Sequence, residues 1–157
     1  MQVLPATTRI PRRSAASKKA LTLAGWMVQK LTELGVSKIV LLHCERSVVR
    51  WKADRAASQM ERLGRVAREA AMQSRRVWLP QLRGPVDFSE AAALAGAVVA
   101  DPDGEPLANA SVVLIGPEGG FTDAERQLCL QSVSLGSNIL RVETAAIAAA
   151  ILGRVGR

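Results

Sequence analysis

Tyrosine is absent from this 157-residue sequence, and three tryptophans and two phenylalanines are its only aromatic residues. A row of stacking rings, of the kind that holds single-stranded nucleic acid, therefore does not fit it. Cysteine and histidine are as scarce. Cys44 and Cys129 give neither a disulfide framework nor metal-ligand spacing, and His43 is the single histidine, so no metal is expected. No apolar run approaches the roughly 18 residues of a membrane span. Residues 1–19 are basic but lack a following apolar block with a small-residue cleavage site, which argues against a secretory signal. A cytoplasmic, reducing setting with no membrane partner is the expectation.

The length suits one domain, and 48% hydrophobic residues are enough for one sizeable core. Charge is unevenly spread. Residues 1–83 hold 17 basic and 5 acidic side chains, whereas residues 84–157 hold 4 and 9. A basic half of +12 joined to a half of −5 points to a polyanion-facing surface, or to a solvated arginine-rich helix face.

Residues 1–17 show no periodicity and carry Pro5, Pro11 and several arginines; they read as an irregular basic tail ahead of a folded domain over 18–157. Leu23, Trp26, Met27, Leu31 and Leu34 then recur at helical spacing, with Gly35 as the C-terminal cap. The run from Ser37 to Cys44 reads as a buried parallel strand. A long helix is expected from Arg55 to Arg75, and a weak strand from Val77 to Leu82, interrupted by Pro80. Asp87 begins a short helix with Glu90 as capping partner. Strands are expected at Ala97–Ala100 and Ser111–Ile115, separated by a turn-rich loop at Asp101–Pro106. This alternation predicts an α/β fold, a mainly parallel sheet flanked by helices.

The most informative segment is SVVLIGPEGGFTDAER, Ser111 to Arg126. A strand runs into a glycine loop, and Thr122 with Glu125 forms a capping box that opens a helix. Such a strand-loop-helix junction is a ligand cradle at the carboxyl edge of a parallel sheet. Three glycines, Pro117 and the carboxylate of Glu118 within five residues favour a site over an ordinary tight turn. Neither a dinucleotide fingerprint nor a phosphate-binding lysine loop is present, so a nucleotide-binding α/β protein lacks its motifs. A second cluster follows at Leu135 to Thr144. Gly136 precedes an expected strand, Asn138–Val142, and Glu143 and Thr144 open a last helix that is apolar on every side from Ala145 to Leu152. Arg141 and Glu143 flank its start and could pair.

Gly116-Pro117-Glu118-Gly119-Gly120-Phe121, then Leu135-Gly136, then Ile139-Leu140-Arg141-Val142-Glu143-Thr144-Ala145, resemble the small-subunit rRNA uridine-N3 methyltransferases (RsmE type) of the SPOUT superfamily. The resemblance extends through Lys30–Val36, Glu45-Arg46-Ser47 and Arg68–Arg76, and so covers most of 26–152. It implies a C-terminal trefoil knot and a homodimer to which the last helix contributes. It implies S-adenosylmethionine (SAM) as cofactor, held by Leu114, Ile115, Gly116, Pro117, Glu118, Gly119 and Gly120 from one side. Leu135, Gly136, Ser137, Ile139 and Leu140 would hold it from the other.

Methyl transfer to uracil N3 needs a proton acceptor and a cation for the developing anion. Glu118 is the carboxylate nearest the loop, although it could equally orient an arginine or backbone amides. Arg46, Arg76 and Arg141 are candidate cations, with Arg141 and Glu118 the pair assigned to catalysis. Arg46, Arg55, Arg62 and Arg76 are the expected contacts to ribosomal RNA, the last three being spaced to share a helix face. Members of this family usually carry an N-terminal β-barrel that residues 1–17 do not match, and Asn138 stands where arginine is common. A SPOUT methyltransferase for another RNA, or a catalytically idle ribosome-binding module of the same fold, is the alternative.

Overall fold

The computed structural model describes residues 2–5, 15–47, 53–108, 110–129 and 131–155, with side chains for 23–47, 56–108, 110–129 and 131–153. Strands β1 (Gln2–Pro5), β2 (Lys38–His43), β3 (Gln81–Asp87), β4 (Ala97–Pro106), β5 (Val112–Ile115) and β6 (Ser132–Ser134) form one sheet in the order β3-β2-β1-β5-β4-β6. Every pairing is parallel. Helices α1 (Ala15–Glu33), α2 (Ala53–Gln73), α3 (Phe88–Ala92), α4 (Asp123–Gln127) and α5 (Val142–Val155) cover its two faces. This is the α/β class expected from the alternation of elements.

Strand periodicity sorts the core into two layers. Ile39, Leu41, Val98, Val113 and Ile115 pack with residues of α1, α2 and α5 on one face. Val40, Leu42, Val99, Val112 and Leu114 pack with Phe88, Ala91 and Phe121 on the other. Strands buried on both faces must be apolar at nearly every position, which is why SKIVLLHC and SVVLI read as continuous runs.

Two helices end in the same way. Val36 N donates to Leu31 O at 3.0 Å and Gly35 N to Thr32 O at 2.9 Å, with Gly35 at φ 76°. Arg76 N donates to Ala71 O at 2.9 Å and Arg75 N to Met72 O at 3.3 Å, with Arg75 at φ 53°. Both are Schellman caps, and the second places an arginine where glycine is usual.

Several expectations are corrected. Gln2–Pro5 is not tail but strand β1, between β2 and β5. Its four residues carry no strand signal of their own and take their conformation from two neighbouring ladders. Helix α1 likewise starts at Ala15, before the first periodic residue. Trp26, assigned to the buried stripe, is 40% exposed. The third strand begins after Pro80, leaving Val77, Trp78 and Leu79 exposed in a loop. Asp87 precedes α3 without a side-chain cap, because it pairs with His43 Nδ1 at 3.1 Å while Glu90 pairs with Arg83 at 2.5 Å. The segment from Asp101 to Pro106 continues β4, but its register breaks: Ala100 and Glu105 both lie opposite Val133, so 101–104 loops out of the ladder. Among the described residues no helix is long and apolar enough to cross a membrane, and no cluster of metal-ligating side chains occurs.

Two glycines test the packing in opposite directions. A Cβ on Gly84, at φ 123°, would lie 2.6 Å from Leu41 O, whereas one on Gly64, inside α2, would meet nothing within 4 Å. Gly84→Ala should lower unfolding free energy by about 3 kcal/mol. Gly64→Ala should raise it by about 0.5–1 kcal/mol. Urea titration measures both, and a Gly84→Ala chain as stable as wild type would contradict the packing. Cys44 supplies a pH test. Burial, helped by the Glu125 carboxylate, pushes its thiol from 9.0 up to about 12. A thiol held neutral in the folded state gives its full stabilisation below pH 9 and loses it as pH climbs toward 12, by ~1.4 kcal/mol per unit. Between pH 8 and pH 10, wild type should lose more stability than Cys44→Ala, and equal losses would refute the assignment.

Candidate active site

A wholly parallel sheet brings all its strand ends to one edge, and the glycine loop leaves β5 there. Pro117 O accepts from Gly120 N at 2.8 Å, closing a turn in which Gly120 takes φ 68°. Gly116 has a different reason. A Cβ on it would stand 3.1 Å from the Phe121 ring, which is buried and packs on Phe88 with centroids 5.0 Å apart. Phe121 thus anchors the loop in the second core, and a Cβ at position 116 would have to push this buried ring aside by a few tenths of an ångström.

The capping box expected at Thr122 and Glu125 forms in full. Thr122 N donates to Glu125 Oε2 at 2.8 Å, and Glu125 N to Thr122 Oγ1 at 3.2 Å. Glu125 does more than cap. Its Oε1 accepts from Glu45 N at 2.7 Å, tying the turn after β2 to the start of α4. That turn carries Arg46, whose Nη1 donates to Gly119 O at 2.8 Å and to Phe121 O at 3.4 Å. The loop is therefore held by its own turn, by the Phe121 ring beneath it and by Arg46 from the side.

The facing wall comes from the loop after β6. Gly136 takes φ 141°, and residues 135–141 run as irregular backbone into α5. The strand expected over Asn138–Val142 does not form, since β6 stops at Ser134 and Ile139 is 88% exposed. Arg141 is the last residue before α5, and its carbonyl accepts from Ala145 N at 2.8 Å.

Between these walls lies a cavity of about 670 Å³. Ile115 through Gly120 line it, as do Leu135, Gly136, Ile139 and Leu140. Leu114 and Ser137 do not: Leu114 is fully buried in the second core, and Ser137 points to solvent. Glu118 and Arg141 both line the cavity and are exposed. Arg141 forms no ion pair with Glu143, and Glu118 orients no arginine among the described residues. One stretch of the lining was not expected from residue patterns: Ala100, Asp101 and Pro102, with Arg126 paired to Asp101. Asp-Pro-Asp-Gly reads as a turn, and a turn does not reveal what it faces.

The arginines assigned to RNA separate. Arg46 serves the loop, and the Arg55 side chain lies outside the described residues. Arg62 is exposed on α2, beside a groove that Trp26 also lines. Arg76 is not on the helix at all: α2 ends at Gln73, and Arg76 Nη1 donates to Thr32 O at 2.6 Å, joining the ends of α1 and α2. The stripe built on helical spacing is broken by the turn at Arg75.

Comparison with known proteins adds the family. The RNA methyltransferase domain model matches residues 19–153. Ribosomal RNA small subunit methyltransferase E of Bacillus subtilis is 32% identical over 147 residues, covering 76% of this chain and 56% of that protein. A Legionella pneumophila protein solved in complex with the cofactor SAM superposes at TM-score 0.80 and 27% identity, over 98% of this chain and 65% of that one. Small subunit methyltransferase E from Neisseria gonorrhoeae, solved bound to S-adenosyl methionine, gives TM-score 0.74 at 28% identity, over 96% of this chain and 63% of that one. The chain spans less than two thirds of the length of each of these relatives. With the glycine loop and the 135–142 segment forming one cavity, it belongs to the RNA methyltransferase domain family, and its relatives include small subunit methyltransferase E proteins.

Proposed function

We propose that this chain binds SAM between the glycine loop and residues 135–142 and directs its methyl group to N3 of a uridine in small-subunit ribosomal RNA. The observation that carries the reading is the cavity itself, at the carboxyl edge of the sheet and walled by two loops that contain Gly116, Gly119, Gly120 and Gly136. Its volume of about 670 Å³ suits a small-molecule ligand. A Cβ on Gly120 or Gly136 would project into open space, so a ligand can approach the main chain closely at both positions. The family membership and the SAM-bound relatives point to the same ligand.

SAM supplies an electrophilic methyl group; the residues here bind, orient and neutralise. Main-chain groups of 115–120 and 135–140 would fix the cofactor by shape and hydrogen bonding. Arg141, exposed at the cavity and without Glu143 as a partner, would stabilise negative charge developing on the uracil. Glu118, on the turn of the loop, would accept the N3 proton. Arg62 and Arg68, exposed on α2, would meet RNA phosphates.

Two structural readings accompany this one. Helix α5 leaves Ile151 47% and Leu152 40% exposed, an apolar end that a second copy of the chain would cover in a homodimer. The trefoil knot belongs here too. After β6, which pairs with β4, the chain returns across the sheet so that α5 packs on the side of β1 and β5, a path in keeping with threading.

Calorimetric titration of the chain with SAM, followed by methyl transfer to small ribosomal subunits lacking the modification, tests the function. Binding and transfer are expected; absence of binding overturns the cofactor assignment, and binding without transfer favours the idle ribosome-binding module. For the RNA face, Arg62→Ala should reduce the salt dependence of RNA binding by about one unit. An unchanged slope and affinity would leave Arg62 as a solvated side chain.

A further inference from the structure

The two walls of the cavity belong to different parts of the sheet. One is the glycine loop, continuous with β5 and α4. The other hangs from β6, an edge strand of three residues that pairs only with β4. Opposite β6 the β4 ladder is interrupted, because 101–104 loops out between Ala100 and Glu105. Each end of that excursion is fastened. At the far end Gly104 lies so close to β6 that a Cβ on it would stand 2.6 Å from Val133 N. At the near end the Asp101 carboxylate, 9% exposed, accepts from Asp103 N at 3.1 Å through Oδ1 and pairs through Oδ2 with Arg126 Nη1 of α4.

We propose that the Asp101–Arg126 ion pair is the brace that holds the two walls at binding distance, making both side chains positioning residues for the cofactor. The proposal rests on the SAM-binding reading above. Asp101 and Arg126 both line the cavity. The pair is the ionic cross-link, among the described residues, between the helix that follows the glycine loop and the strand that carries β6. Magnitude separates positioning from stability. Asp101 is only 9% exposed, but Arg126 is 48% exposed, so once Arg126 is removed water reaches the carboxylate, which keeps its bond from Asp103 N, and the loss of global stability stays limited. Preorganisation of a ligand site, by contrast, acts directly on affinity. Breaking the brace should therefore alter ligand binding far more than it alters melting.

The test uses the whole chain with SAM and with its demethylated product, S-adenosylhomocysteine, by calorimetry, together with Tm. Asp101→Asn and Arg126→Gln should each weaken SAM binding by about tenfold, with the double variant no worse than either single one. Both ligands should lose affinity alike, because bracing serves the parts they share, and Arg126→Lys should recover most of the loss. Unchanged affinity in a folded Arg126→Gln chain overturns the proposal. So does a selective gain for SAM over its product, which would make Asp101 a charge partner of the sulfonium. If Asp101→Asn does not fold, Arg126→Gln and Arg126→Lys carry the test on a side chain half in solvent. Failure of the wild-type chain to bind SAM is a different result, and it sinks the cofactor reading instead.

Discussion

The Glu125 carboxylate joins loops that are 80 residues apart in the chain. One oxygen completes the helix cap at Thr122, and the other receives the amide of Glu45. A carboxylate only 7% exposed could not persist without such partners, since an ion moved out of water must recover its lost hydration from hydrogen bonds. Here the partners are main-chain amides at fixed positions, so satisfying the charge also fixes geometry. The turn after β2 is drawn onto the start of α4, and Arg46 comes with it to the Gly119 carbonyl. The same negative charge adds to the burial that keeps Cys44 protonated in the adjoining core. The glycine loop is thus held from outside as well as by its own turn.

What could be read from the sequence follows from which forces are local. The capping box is local, and Thr122 and Glu125 were legible as one. The strands β2 and β5 were legible because burial on both faces leaves few polar positions. By contrast, β1 consists of Gln2–Pro5, and nothing in four residues reveals that two ladders await them. The failure at Asn138–Val142 is of the opposite kind. Ile139, Leu140 and Val142 look like a strand, yet the last strand of the sheet is the weaker-looking Ser132–Ser134, and the apolar residues serve a cavity wall and a helix start. The stretch of lining at Ala100–Pro102 was illegible because its role depends on a partner, Arg126, that is distant in sequence.

The charge asymmetry also changes meaning once the side chains are placed. A +12 half suggested a broad polyanion-binding surface. Arg46 and Arg76 spend their charge on main-chain carbonyls, while Arg65 and Arg83 have carboxylate partners. Arginine suits such work because several donors on one rigid plane can satisfy the open carbonyls of loops and helix ends. Among the described residues, the exposed arginines of the basic half left without a carboxylate or main-chain partner are Arg62, Arg68 and Arg75, on α2 and at the turn that ends it.

Helix α5 links the remaining features. Its first turn faces the cavity through Val142 and Ala145, and Ala146, Ala149 and Ala150 are fully buried. Small side chains let the helix lie close to the sheet, so its position is set by backbone approach and tolerates little sliding. Its far end presents Ile151 and Leu152 to solvent. A rigid helix of 14 residues spans ~21 Å, so whatever covers that apolar end acts on the cavity through one stiff element. The cavity wall and the exposed apolar pair thus lie at the two ends of one helix, whose alanine face fixes both against the sheet.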